Sequence, residues 1–209
     1  MSVATSGQNP QFTDDELEAI ITTAREYGLP VAAHAHGIEG MKRAIRAGVN
    51  SIEHGTFIDD DAVKLMKQNG TVLVPTLTVA EWATEKAKEE GYFPEVVRKK
   101  AAQVGPVTKK ALELAYRGGV NIVFGTDFSG DNNLGEFALM VKAGMKPMDT
   151  IIAATLNAAQ LQRVDDKLGS IETGKLADIV AVKGNPIDDI RAMENMMFVM
   201  KNGKIYKQP

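Results

Sequence analysis

Four short apolar runs recur along the first two thirds of the chain, and a helical pattern follows each one. The runs are Val31–His36, Asn50–His54, Thr71–Thr76 and Asn121–Asp127. Strands that alternate with helices favour an α/β fold built on a parallel sheet. Three of the runs carry His or Asp at their C-terminal ends, where a (β/α)8 (TIM) barrel holds its catalytic groups. The pattern therefore predicts four βα units that make up the C-terminal half of such a barrel.

Helical signals around these runs include one long interrupted stretch. The first helix begins with a capping box at Thr13–Glu16, where each side chain satisfies a backbone N–H of the other residue. Residues 79–117 show a charged helical pattern, which the segment Gly91–Pro94 interrupts. Two further helices are predicted over residues 134–143 and 147–162.

The composition changes near residue 165. The segment Leu168–Asp178 is rich in turn-forming residues, and the pair Asn202–Gly203 is a strong signal for a two-residue β-hairpin. Three strands are predicted in this part of the chain: Ile179–Val182, Met197–Met200 and Lys204–Tyr206. We therefore expect two domains, the half-barrel over residues 1–165 and a small C-terminal β-sandwich segment over residues 166–209.

Length, charge and composition narrow the class of protein. A complete (β/α)8 barrel takes about 250 residues, so 209 residues cannot hold one together with the C-terminal strands. The chain has no cysteine, which excludes disulfides and cysteine-ligated zinc. Its net charge is -3 without a basic stripe, and no apolar run approaches the ~20 residues of a membrane span. We expect a cytoplasmic protein with a small-molecule substrate, and neither nucleic acid nor a membrane as partner.

The side chains that could carry chemistry lie at the ends of the predicted strands. His34 and His36 are two residues apart on one strand and therefore point to the same face. His54 ends the next strand, and Asp127 ends the fourth. Two imidazoles and one carboxylate on one rim suit a divalent, zinc-like ion. The spacing thus predicts a metal site at His34, His54 and Asp127, with His36 nearer the mouth.

Each of these candidates also has a structural alternative. A lone histidine is more often a satisfied core residue, and Asp127 alone could cap a helix. The joint arrangement at equivalent strand ends favours a functional site over separate structural roles. The aromatic residues Trp82, Tyr92 and Phe93 could line a substrate lid, although packing within the helical stretch is the favoured interpretation.

Four motifs in order connect the chain to a known family. They are His34-Ala-His36-Gly37, Ser51-Ile-Glu-His54-Gly55, Gly125-Thr-Asp127, and the segment Leu168–Val180. With these motifs the chain resembles the C-terminal half of the amidohydrolase superfamily, in the branch of imidazolonepropionases and Xaa-Pro dipeptidases. The resemblance covers nearly the whole chain, and the order and spacing of the motifs make it specific.

The resemblance implies a role for each candidate residue. His34 and His54 would ligate a divalent metal ion, with Zn²⁺ as the ion that the resemblance implies, and His54 could also polarise the scissile carbonyl. Asp127 would bind the metal and handle the proton of the attacking water, so that His54 and Asp127 are the implied catalytic residues. His36 would contact the substrate. The implied reaction is hydrolysis of an amide bond in a small molecule such as a dipeptide or an N-acyl amino acid.

The family pattern also includes ligands that are not found in this chain. One is a His-x-His pair after the first barrel strand. The other is a carboxylated lysine on the fourth strand, and no lysine occurs here before Lys42. We therefore expect the isolated chain to be a very weak hydrolase. An alternative is an inactive half-barrel that acts by assembly with an N-terminal half or with itself, because exposed sheet edges and apolar faces favour association. A gene fragment without an independent role is a third possibility.

Overall fold

The computed structural model describes residues 9–130 and 133–209 of the chain. Within them lie eight α-helices, α1 to α8 in chain order: Asp14–Glu26, Ile38–Ala47, Asp60–Asn69, Leu77–Lys86, Glu95–Arg117, Gly135–Lys142, Pro147–Ala154 and Leu156–Leu161. The strands β1 to β6 are Ala32–Ala35, Ser51–His54, Val72–Val74, Ile179–Val182, Met196–Lys201 and Lys204–Lys207. None of the helices in these residues is both long and apolar enough to cross a membrane.

The first sheet is parallel, with the strand order β1-β2-β3. Each connection between its strands contains a helix, α2 or α3, as parallel strands require. The predicted α/β class is therefore confirmed. The half-barrel itself stays a prediction, because the ladder of this sheet holds three strands.

The fourth predicted strand, Asn121–Asp127, forms only in part, and the prediction of a full strand there was wrong. A single parallel bridge joins Leu73 of β3 to Ile122. The next backbone N–H beyond the bridged part, that of Phe124, donates to the carbonyl of Ala153 in α7 at 3.1 Å. Since Val123 N–H donates to Leu73 of β3, the N–H of Phe124 lies on the other edge of the run, where a helix rather than a strand pairs with it.

The helices follow the predicted pattern with one difference. The capping box of α1 is present, since Thr13 Oγ1 accepts from the backbone N–H of Glu16 and the Glu16 carboxylate accepts from that of Thr13. The interruption at Gly91–Pro94 separates α4 from α5, as predicted. The predicted helix over residues 147–162 is instead two helices, α7 and α8. Thr155, at φ −123° and ψ −87°, breaks the helical geometry between them.

The first sheet has two different faces. One face carries Ala33, Ile52 and Leu73, which pack into the main hydrophobic core against α2, α3 and α5. The small side chain of Ala33 suits this close packing against helices. The opposite face, which we name the site face, carries His34, Ser51, Glu53, Val72 and Val74. The side chains of the site face that could carry chemistry therefore lie outside the main hydrophobic core.

The C-terminal strands form a second, antiparallel sheet in the order β4-β5-β6. Asn202 and Gly203 connect β5 to β6 with φ of 50° and 75°, the positive values that a two-residue hairpin of this type needs. The described residues contain one sheet here rather than the two of a sandwich. A short 3₁₀ helix, Ile190–Glu194, packs beside this sheet and against Phe137 of α6. The domain division at residue 165 stays a prediction.

Candidate active site

The side chains of His34 and His54 are in contact, although strict alternation of side chains along the strands would place them on opposite faces of the sheet. In the parallel register His34 lies beside Glu53, so both belong to the site face. Two residues apart on a strand, Ile52 and His54 would share the helix-covered face. His54, however, ends β2 with a φ of 74°, which breaks the alternation. Its Nε2 atom thereby lies 2.9 Å from Nδ1 of His34.

Threonine hydroxyls hold one ring nitrogen of His54 and one of His36. His54 Nδ1 lies 2.7 Å from Oγ1 of Thr76, at the end of β3. His36 Nδ1 lies 2.8 Å from Oγ1 of Thr56. The rings of His36 and His54 stack at 4.6 Å between centroids with an interplanar angle of 5°. Since a partner on one nitrogen fixes the ring and its tautomer, His54 can present the lone pair of Nε2 when its Nδ1–H donates to Thr76.

Strained backbone marks the ends of three consecutive strand runs. His54, Thr76 and Asp127 have φ values of 74°, 50° and 47°. Side chains other than glycine rarely adopt this left-handed region, and each instance costs about 1–3 kcal/mol. Such strain persists where the surroundings dictate it, and it clusters at functional sites. The three residues at equivalent strand ends therefore form the candidate site.

Burial keeps His36 and His54 neutral. The pKa of His54 is lowered to about 3, mainly by burial and also by the nearby rings of His36 and His34, beside which a further positive charge is unfavourable. Burial likewise lowers the pKa of His36, while the carboxylate of Asp127 opposes the shift. Near neutral pH both imidazoles are therefore uncharged, which is the form that binds metal ions.

The pair of histidines fits a divalent metal ion. Two imidazole nitrogens that each bind zinc at about 2.0–2.1 Å in tetrahedral geometry lie about 3.3 Å apart. The separation of 2.9 Å between His34 and His54 is only slightly shorter. Among residues 9–130 and 133–209, no group of three or more His, Asp or Glu side chains is close enough together to hold a metal ion. Asp127 lines the adjoining cavity together with His54, and its predicted role as a ligand stays a prediction.

That cavity has a volume of about 160 Å³ and adjoins the strand ends. His36, His54 and Asp127 form part of its wall. Trp82 of α4 and Phe93, in the connection to α5, also line it. Trp82 also makes edge-on contacts with Tyr92 and Phe93, at 6.0 Å between centroids for each. The three aromatic residues therefore pack on one another, as the favoured interpretation predicted, and two of them, Trp82 and Phe93, also line the cavity.

A buried carboxylate supports the site from behind. Glu136 of α6 is fully buried, and it accepts hydrogen bonds from the backbone N–H groups of Leu77 and Thr78 at 2.8 and 2.7 Å. It also accepts from the hydroxyl of Thr78 at 2.6 Å. These bonds cap the N-terminus of α4 directly after Thr76, the partner of His54. Burial raises the pKa of Glu136, and the bonds from Thr78 and Leu77 oppose that rise.

Sequence reasoning did not identify Thr56, Thr76 or Glu136 as parts of the site. Thr76 ends an apolar run, so its position was a usable signal. Thr56 follows the Ser51–Gly55 motif by one residue, which was a weaker signal. Glu136 lies 60 residues after Thr76 on a helix, and nothing local in the sequence indicates that its carboxylate reaches α4.

Comparison with known proteins gives a consistent result. A family model described as "Amidohydrolase family" matches residues 4–207. The ochratoxinase of Aspergillus niger is 34% identical over 205 residues, which cover 95% of this chain and 42% of that protein. The imidazolonepropionase of Shewanella oneidensis is 27% identical, with 96% of this chain and 47% of that protein covered.

A solved structure of an Xaa-Pro dipeptidase with bound methionine in its active site is also similar. It is 55% identical with a TM-score of 0.96, and the match covers 99% of this chain and 52% of that one. The chain thus spans about half the length of the relatives it matches. These matches confirm the resemblance that the four sequence motifs indicated.

Proposed function

The chain belongs to the amidohydrolase family, and from this premise we propose that it hydrolyses amide bonds of small molecules with the help of a divalent metal ion, zinc being our candidate. The observation that carries the proposal is the convergence of His34 Nδ1 and His54 Nε2, 2.9 Å apart, beside a cavity. Because an Xaa-Pro dipeptidase is among the similar structures, dipeptides and N-acyl amino acids are the first substrates to consider.

The histidines and their partners would hold and orient the ion. His34 and His54 offer imidazole nitrogens, and Thr76 fixes the ring of His54 through its other nitrogen. The chemistry that such an ion supplies is activation of water near neutral pH and polarisation of the scissile carbonyl. Removing a partner like Thr76 from the outer shell of a metal site typically lowers metal affinity about 10- to 100-fold.

Asp127 and His36 would act on the substrate. The carboxylate of Asp127 would accept a proton from the attacking water and later deliver it to the nitrogen of the leaving amine, so that the proton is transferred without net change to the protein. His36 lies on the wall of the same cavity, where it can contact the bound substrate. General acid–base catalysis of this kind contributes about 100- to 10,000-fold to a rate.

A partner would complete the site. β1 is an edge strand of its sheet, and both His34 and Ala32 on it are exposed. An N-terminal half of the family, or a second copy of this chain, would cover this face and supply the missing wall. A purely structural role in assembly is the less favoured alternative, because the ring partners Thr56 and Thr76 keep the histidines in an arrangement suited to chemistry.

The proposal is tested by hydrolysis of a dipeptide panel, measured as release of free amino acid with and without Zn²⁺. We expect slow, metal-dependent turnover that rises when an N-terminal half of the family is added. Asp127→Asn should lower the rate about 100-fold or more. Asp166→Asn, which alters an exposed aspartate outside the cavity, is the matched control. Equal rates in the two variants, or turnover that a chelator does not affect, would contradict the proposal.

A further inference from the structure

We propose that the wall of the cavity built by α4 and α5 is a subsite for an apolar side chain of the substrate, and that it selects amides of amino acids with leucine-, methionine- or phenylalanine-like side chains. This deepens the proposed amide hydrolysis and presupposes it. The two walls of the cavity differ sharply in chemistry. Polar groups come from the strand ends, whereas the helical side contributes apolar groups: Val79, Trp82, Ala83, Phe93, Val97 and Val104.

The main polar side chain on the helical wall already has a hydrogen-bond partner within the protein. Thr108 of α5 also lines the cavity. Its hydroxyl, however, donates to the carbonyl of Val104 at 2.8 Å, within the same helix. A hydroxyl that is paired in this way has no need of a ligand partner. What this wall offers to a ligand is therefore hydrocarbon and aromatic surface.

The aromatic group is placed to keep this wall rigid and close to the reacting groups. Trp82 contacts Phe128 at 5.8 Å between ring centroids, and Phe128 directly follows Asp127. Aromatic pairs in tilted and edge-on arrangements add stability beyond their buried area. A substrate with its amide at Asp127 and His54 would thus point an adjacent side chain towards Trp82 and Phe93.

The size of the cavity limits what it can take. Its volume of about 160 Å³ is close to that of an engineered apolar cavity of about 150 Å³ that binds benzene. Complete drug-sized ligands occupy about 300–1,000 Å³. The cavity therefore accommodates one large apolar side chain and not a whole dipeptide. Burying such a side chain should favour binding about 10- to 100-fold over glycine or serine derivatives.

The chain contains its own reporter for this subsite. Trp82 is the single tryptophan among 209 residues, and its ring lines the cavity. Its fluorescence therefore reports on occupancy without any need for turnover. The probes are N-acetyl derivatives of leucine, methionine, phenylalanine, glycine and serine, titrated into the full chain. We expect saturable changes in emission, with midpoints about 10- to 100-fold lower for the first three probes.

Isosteric variants separate this subsite from general hydrophobic binding. Val79→Thr combined with Val97→Thr places hydroxyls in the cavity wall at nearly constant volume, and should reduce the preference for apolar probes. Val180→Thr, at an exposed position on β4, is the control and should preserve it. The subsite would be overturned by equal midpoints for the leucine and glycine probes, or by an unchanged preference in the double variant. It would also be overturned if a chain shown to be folded by circular dichroism gave no saturable change in emission. Because binding is read directly, absent hydrolysis with intact apolar preference would refute only the proposed function.

Discussion

Replacing Glu136 with glutamine should destabilise the fold by a predictable amount. The Glu136 side chain is fully buried, and its two carboxylate oxygens accept from the backbone N–H groups of Leu77 and Thr78. Glutamine keeps one carbonyl oxygen, so at least one of these N–H groups would face an amide NH₂. A buried donor without an acceptor costs about 1–3 kcal/mol. The loss of negative charge at the start of α4 adds roughly 0.3–1 kcal/mol, and easier burial of a neutral group offsets part of the total.

We therefore expect Glu136→Gln to lower the free energy of unfolding by about 1–3 kcal/mol, which corresponds to roughly 2–12 °C in Tm for a chain of this size. The assay is urea unfolding followed by circular dichroism and by the fluorescence of Trp82. Glu90→Gln, at an exposed position between α4 and α5, is the matched control and should change stability by less than about 0.5 kcal/mol.

The same substitution should disturb the site, because Thr76 precedes the capped turn and holds His54 at 2.7 Å. Nuclear magnetic resonance of the imidazole nitrogens should show altered shifts for His54 in Glu136→Gln and unaltered shifts in Glu90→Gln. If Glu136→Gln were as stable as the unmodified chain and left those shifts in place, the assigned role of this carboxylate as cap and support would be refuted.

Three further predictions concern pH, packing and assembly. The pKa of His54 is about 3 in the folded chain and 6.5 in its ordinary state, so the unfolded chain binds more protons between these values. The contribution of His54 to the free energy of unfolding should be fully present above pH 6.5 and should decrease by up to about 3 kcal/mol as the pH falls to 4. Unfolding curves that do not shift with pH would contradict this. Gly125→Ala should lower the free energy of unfolding by about 1–3 kcal/mol, because its Cβ would lie 2.4 Å from Val74 Cγ1. Gly40→Ala in α2 should instead raise that free energy by up to about 1 kcal/mol. Equal Tm values for the two variants would refute that reasoning. The isolated chain should self-associate through its exposed β1 edge in sedimentation velocity, and a monodisperse monomer over a range of concentrations would count against it.

Much of the fold could be predicted because it depends on local pattern. The strand runs, the interruption between α4 and α5, and the Asn202–Gly203 hairpin follow from periodicity and turn chemistry that neighbouring residues determine. The end of the fourth run could not be predicted in the same way. The N–H of Val123 bonds to β3 and that of Phe124 bonds to Ala153, and the second bond depends on where α7 lies, which is a tertiary property.

The candidate site could likewise be predicted only where it depends on local sequence pattern. The sequence placed His34, His54 and Asp127 at strand ends, and the structure brings the two histidines into contact. The contact itself depends on a left-handed backbone at His54, since alternation would have directed its ring towards the helices. Such conformations are set by the surrounding packing, which includes the fully buried Glu136 behind α4. A pattern of residue types does not contain that information.

The most direct test of the central idea is calorimetric titration of Zn²⁺ into chelator-treated chain near neutral pH. If His34 and His54 hold a catalytic ion, a single ion should bind per chain, and His34→Asn or His54→Asn should weaken its binding by at least about 10-fold. Thr76→Val should weaken it by about 10- to 100-fold through loss of ring orientation, while His36→Asn should leave it nearly unchanged. If the double variant His34→Asn, His54→Asn bound zinc as tightly as the unmodified chain, this result would contradict the metal-assisted site proposed for this protein.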